Sequence, residues 1–158
     1  VRGGPRPGAR MTPPAARSAT IGLGRGPTFR KDRPVPALPE YDRLQSAFHQ
    51  TCRDDLYAAI DALPVPPGGH ALDAPCGDGF YARRLMTRAA RLTLVDANPA
   101  YLNLAKQAVA DPPPGTHVEV IEGDAYALPF ADATFDLVWC AQSFISLDDP
   151  VAALKEMR

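Results

Sequence analysis

Between residues 41 and 63 apolar side chains return every three or four positions, at Leu44, Ala47, Phe48, Cys52, Leu56, Ala59, Ile60 and Leu63. This spacing predicts an amphipathic helix, and Pro64-Val65-Pro66-Pro67-Gly68-Gly69 ends it in a turn. A short apolar lead, Ala71-Leu72, then runs into Asp73 and a loop with glycines at 77 and 79. Helical spacing resumes at once, with Tyr81, Ala82, Leu85, Met86 and Ala89 on one face of a helix expected to end near Ala90. Leu92-Thr93-Leu94-Val95 is nearly continuous in apolar character, as a strand buried on both faces should be, and it stops at Asp96. Asn98-Pro99 pairs a capping side chain with the residue preset for a first helical turn. That helix should run to about Ala110, where Asp111-Pro112-Pro113-Pro114-Gly115 breaks it. Val118–Ile121 reads as a third strand ending in Glu122-Gly123-Asp124, and Phe135–Ala141 as a fourth. Asp148 or Asp149 should cap a last helix with Pro150 in its first turn.

Strand and helix alternate, and the crossovers are long enough for parallel pairing. The fold class is therefore α/β: a Rossmann-like open parallel sheet with helices on both faces. The fourth strand is among the most apolar, which suits a central place in the sheet better than an exposed edge. The chain stops at Arg158 inside a helical pattern without a stop signal. Two expectations follow: residues 41–158 are the front part of a larger domain, or the fourth strand pairs with another copy of the chain.

Composition separates the first 40 residues from the rest. They hold eight prolines, six glycines and eight basic residues against Asp32 and Glu40, with no hydrophobic period. Such a segment cannot bury enough surface to offset chain entropy and is expected to be a disordered tail. Its prolines also forbid the amphipathic helix of an organelle address. The remainder, with a charge of about −7, offers no nucleic acid a basic surface. Cys52, Cys76 and Cys140 are odd in number and widely spaced, which is neither a disulfide framework nor a metal knuckle. No apolar run approaches the ~20 residues of a membrane span, so the expectation is a cytoplasmic protein with no membrane partner.

The chemistry lies in the loops. Asp73, Asp96 and Asp124 stand at or beside strand ends, and in a parallel α/β sheet these ends converge on one crevice. An acid after the second strand suits two ribose hydroxyls, and one after the third suits an adenine edge. Gly77-Asp78-Gly79-Phe80-Tyr81-Ala82 matches the dinucleotide pattern GxGxxG/A, so a nicotinamide dinucleotide must be considered. Yet Asp73 and Asp78 put two negative charges around the turn that should cradle a diphosphate. That favours a ligand that is cationic or zwitterionic at this end.

Taken together, Leu72-Asp73-Ala74-Pro75-Cys76-Gly77-Asp78-Gly79, the acid Asp96, Gly123-Asp124-Ala125 with Leu128-Pro129-Phe130, and Phe135-Asp136-Leu137-Val138 resemble the successive motifs of class I S-adenosylmethionine-dependent methyltransferases, most closely the group acting on small molecules. The resemblance covers roughly residues 41–158 and implies a seven-stranded sheet of order 3-2-1-4-5-7-6, of which four strands are present. It implies S-adenosylmethionine as cofactor; the sequence itself shows no metal-ligand cluster, and no metal site is assigned. By position, Asp73, Ala74, Pro75, Cys76, Gly77 and Gly79 would hold the methionine part, with Asp73 near the ammonium. Asp96 would bind the ribose hydroxyls, Ala97 would lie beside the adenine, and Asp124 and Ala125 would meet its edge. Cys140 and Gln142 would lie beside the methionine and the path to the acceptor.

The implied reaction is displacement of the sulfonium methyl by a small-molecule acceptor, which depends on positioning more than on a protein nucleophile. No general base is assigned. Tyr41, His49 and Tyr126 are candidates for the acceptor side, though each suits a structural or packing role better. Two other readings stay open: a module that keeps the fold without turnover, and a nicotinamide-dependent oxidoreductase.

Overall fold

The structure, a computed structural model, describes Leu38 and residues 42–158. The rest of the tail expected to be disordered, and Tyr41, lie outside the described residues. The first helix, α1 (Asp42–Asp61), falls where the apolar spacing puts it. Strand β1 (His70–Asp73) follows, then a short helix α2 (Ala82–Leu85), β2 (Arg91–Asp96), α3 (Pro99–Ala108), β3 (His117–Glu122), β4 (Leu137–Trp139) and α4 (Pro150–Glu156). The four strands form one sheet in the order β3-β2-β1-β4, and every pairing is parallel.

Burial follows from that order. In the interior strand β2, Leu92, Thr93, Leu94, Val95 and Asp96 are all buried, and in β1 Ala71, Leu72 and Asp73 are. Strand β3, at an edge, alternates between exposed and half-buried positions. One face of the sheet packs Leu92 and Leu94 against Ile60 of α1, Leu85 of α2 and Leu102 and Ala105 of α3. The other packs Leu72 and Val95 against Phe130, Phe135, Val138 and Met157. Full burial of a leucine or valine side chain contributes roughly 1.5–3 kcal/mol, so these two layers stabilise the sheet from both faces.

Two elements are shorter than their apolar runs. Helix α2 spans four residues, after which Thr87 N and Arg88 N bond three residues back, to Arg84 O and Leu85 O. The Thr87 hydroxyl also donates to Arg84 O at 2.8 Å, and such local bonding competes with the regular ladder. Strand β4 spans three residues rather than the seven of Phe135–Ala141, because its partner β1 offers no more. Ala71, Leu72 and Asp73 pair with Leu137, Val138 and Trp139, Ala74 N donates to Trp139 O, and Pro75 then has no N–H to give. At its start, Asp136 N bonds His70 O while its carboxylate accepts from His70 N. Among the described residues β4 is an edge strand with half-buried side chains.

Candidate functional site

The β1–α2 turn is shaped by contacts on both sides. The Ala74–Pro75 peptide is cis, and Gly77 and Gly79 both have positive φ, +54° and +79°. Cys76 N donates to Val95 O at 2.8 Å, which draws the turn onto β2. Gly79 is pressed against α3: a Cβ there would lie 2.9 Å from Ala105 Cα and 3.0 Å from Ala108 Cβ. A Cβ on Gly77 would meet nothing within 4 Å, so its side faces open space.

Asp96 closes β2 and ties the loops together. Its Oδ2 accepts from Gly77 N at 2.9 Å and its Oδ1 from Asn98 N at 2.8 Å. Burial pushes its carboxyl up, and the backbone N–H groups of Asn98, Gly77 and Ala97 offset part of that shift. Asn98 in turn caps α3 by accepting from Ala100 N at 2.9 Å. After β3, Asp124 accepts from Tyr126 N at 2.9 Å, forming a tight turn closed by Ala127 N on Asp124 O. The Tyr126 hydroxyl accepts from Asp149 N at 3.1 Å, a structural tie to the start of α4.

Asp73 is different. It is 1% exposed, and its Oδ2 has no hydrogen-bond partner among the described residues. Burial, and after it the charges of Asp96 and Asp78, push its carboxyl well above the ordinary range. A cation brought close would reverse that balance. Cys76 is buried too, and desolvation drives its thiol far above the usual value, which disfavours the thiolate form. Burial likewise pushes the Tyr81 phenol up to about 12 and raises the Cys140 thiol.

A cavity of about 720 Å³ opens at the carboxyl ends of the strands. One wall is Asp96, Ala97, Asn98 and Tyr101, with Asp124, Ala125 and Tyr126 beside it. Its floor includes Ala74, Pro75 and Gly77. The opposite wall is Leu44 and Phe48 of α1 with Gln142, Ser143, Ile145 and Leu147 after β4. Of the twelve residues assigned to cofactor binding from the sequence, Ala74, Pro75, Gly77, Asp96, Ala97, Asp124, Ala125 and Gln142 line this cavity. Asp73 and Cys76 are buried, Gly79 packs on α3, and Cys140 is half-buried; none of the four lines it.

The wall on α1 was not legible beforehand. The sequence places Leu44 and Phe48 only on an apolar helix face, yet they are 75% and 42% exposed because that part of the face looks into the cavity. The sequence likewise shows Tyr101 and Asn98 only as parts of a helix and its cap. Their place on the cavity wall is set by where α3 begins relative to β2, which no local pattern encodes. Among the described residues no group of histidine, cysteine or carboxylate side chains is arranged to hold a metal ion.

A parallel sheet of order 3-2-1-4 with Asp96 and Asp124 opening on one crevice and Asp73 buried at the end of β1 defines a nucleotide-type cofactor domain. A family model described as a methyltransferase domain matches residues 72–158, and the chain belongs to that family, the class I S-adenosylmethionine-dependent methyltransferases. It is 33% identical over 126 residues to a 2-phytyl-1,4-naphtoquinone methyltransferase of Thermosynechococcus vestitus, covering 75% of this chain and 53% of that protein. It is 37% identical over 102 residues to a demethylmenaquinone methyltransferase of Deinococcus radiodurans, covering 63% and 41%. The chain thus spans about half the length of the curated relatives it matches. Among solved structures, an S-adenosylmethionine-dependent methyltransferase from Aquifex aeolicus superimposes with a TM-score of 0.62 at 22% identity, over 73% of this chain and 63% of that one. The cofactor of the family is S-adenosylmethionine.

Proposed function

We propose that this chain binds S-adenosylmethionine in the 720 Å³ cavity and transfers its methyl group to a small, largely apolar acceptor. The observation that carries this reading is the convergence of Asp96, Asp124 and the Gly77 backbone on one cavity, with the unpartnered carboxyl of Asp73 beneath it. The donor set fits the cofactor. Asp96 would accept from the ribose hydroxyls, Asp124 from the adenine amino group, and the Ala125 N–H would meet a ring nitrogen. Asp73 would neutralise the ammonium. The sulfonium supplies an already activated methyl group. The chain's own part is to hold the ligand along the strand ends, screen it from water with α1, and leave one opening for the acceptor.

That opening is apolar: Leu44, Phe48 and Ile145 are 75%, 42% and 93% exposed around it. Such a rim suits an acceptor with an aromatic or hydrocarbon body, of the kind named in the quinone methyltransferases above. The same reading gives a cytoplasmic protein without nucleic-acid or membrane partners. No described helix is long and apolar enough to cross a membrane. The outer edge of β4 is the place for self-association, and sedimentation of the full chain over a range of concentrations tests that.

Titration with S-adenosylhomocysteine tests the site. Asp96→Ala should weaken binding by at least about tenfold, the loss expected for charge-assisted bonds to both hydroxyls. Unchanged affinity in a folded variant contradicts the assignment.

A further inference from the structure

His49 lies on α1 and Gln142 follows β4, 93 positions away, yet His49 Nε2 stands 2.8 Å from Gln142 Oε1. The histidine is 3% exposed. Its ring stacks on Phe80, with centroids 4.0 Å apart and planes within 12°, and meets Tyr81 edge-on at 5.4 Å. Its other nitrogen, Nδ1, is buried with no hydrogen-bond partner among the described residues. These contacts decide which way the amide faces. A carboxamide oxygen only accepts, so the bond requires the proton on Nε2. The flipped amide would donate to a bare Nε2 and force the proton onto Nδ1, leaving a buried N–H without an acceptor. An orphaned donor is the rarer and costlier arrangement. With Oε1 turned to His49, the amide N–H2 is left to the cavity that Gln142 lines. Gln142 itself is held at φ +59°, which a residue with a Cβ adopts only where its surroundings fix it.

Strand order says what lies opposite that N–H2. The sheet runs β3-β2-β1-β4, so Asp124, Asp96, the glycine turn and Gln142 succeed one another along the cavity. A nucleoside with its base at Asp124 and its ribose at Asp96 puts its amino-acid end against the β1 turn and Gln142. Asp73, buried at the end of β1, suits the ammonium there but offers the carboxylate nothing.

We propose that His49 is a positioning residue: it fixes the Gln142 carboxamide so that the amide N–H2 donates to the carboxylate at the amino-acid end of the bound ligand. This rests on the reading of the cavity as an S-adenosylmethionine site. The test compares the full chain with His49→Phe, which keeps a ring on Phe80 but no donor, His49→Gln, which keeps a donor, Gln142→Ala, and the double variant His49→Phe with Gln142→Ala. Each is titrated with S-adenosylhomocysteine and with methylthioadenosine, which lacks the amino-acid carboxylate. His49→Phe and Gln142→Ala should each weaken S-adenosylhomocysteine by about fivefold, one hydrogen bond to a charged group. The double variant should be no weaker than either single one, His49→Gln should recover most of the loss, and methylthioadenosine should be unaffected. Ring-nitrogen NMR of the wild-type chain should find His49 protonated on Nε2. Equal weakening of both ligands, additive single effects, or a proton on Nδ1 overturns the proposal. A wild-type chain that binds neither ligand overturns the reading of the cavity and the role of the donors with it, while the ring spectrum still decides whether His49 fixes the amide.

Discussion

Asp73 is a buried acid at the start of a glycine turn, and its Oδ2 has no hydrogen-bond partner among the described residues, an arrangement that costs stability. Its ordinary value is 3.8, and in the folded chain it is raised by burial and by its acidic neighbours. Between those two values the native chain holds a proton that the unfolded chain has lost, so stability falls as pH rises through that window. Asp96 is raised for the same leading reason and acts in the same direction, whereas Asp61, lowered by its bond to Arg84, loses its contribution only toward acid pH. Urea midpoints of the wild-type chain should therefore drop as pH rises above the ordinary carboxylate value, and Asp73→Asn should flatten that slope; a slope unchanged by the substitution contradicts the account. A cationic ligand beside Asp73 favours the ionised form. Binding of S-adenosylhomocysteine should thus expel a proton and tighten as pH rises, seen as calorimetric heats that depend on the buffer's ionisation enthalpy and cease to do so in Asp73→Asn. The two loop glycines separate conformation from crowding. Gly77→Ala meets only the positive-φ penalty, on the order of 1 kcal/mol, but Gly79→Ala also drives a Cβ into the α3 backbone and should cost about 2–3 kcal/mol or more in chemical denaturation.

At the scale of elements, what could be read in advance is what neighbouring residues decide among themselves. Asn98-Pro99 and Asp149-Pro150 start α3 and α4 as their chemistry dictates, each acid or amide accepting from a backbone N–H at 2.9 Å. Asn98→Ala should accordingly cost ~1 kcal/mol of stability, measured by urea unfolding. The apolar run of β2 announced a strand buried on both faces, and Leu94→Ala should cost about 2–5 kcal/mol because that site is closed on every side. The lengths of α2 and β4 were not legible, since one is set by the Thr87 hydroxyl and the other by how far β1 can pair. The His49–Gln142 bond was illegible for a stronger reason. Gln142 is placed beside the methionine by the resemblance and His49 is a candidate on the acceptor side, but nothing local pairs them, and only the packing of α1 brings them together.

Across the whole molecule the design is a row of strand ends with one helix laid over them. The order β3-β2-β1-β4 turns a linear sequence of loops into a linear sequence of contacts, from Asp124 through Asp96 and Gly77 to Gln142. Three of these four lie in motifs that the sequence displays, and their convergence was expected from parallel topology alone. The fourth, Gln142, follows β4 where the methyltransferase resemblance puts it, and α1 completes that wall, with Leu44 and Phe48 of α1 and Ile145 after β4 exposed at the mouth. The acids that suit a sulfonium-bearing amino acid repel a diphosphate, so the sheet should choose between two cofactors that share its glycine pattern. Calorimetric titration of the full chain with S-adenosylhomocysteine, repeated in excess NAD, measures that choice directly. Saturable one-to-one binding that NAD leaves unchanged is the result predicted here; displacement by NAD, or binding of NAD alone, would contradict it.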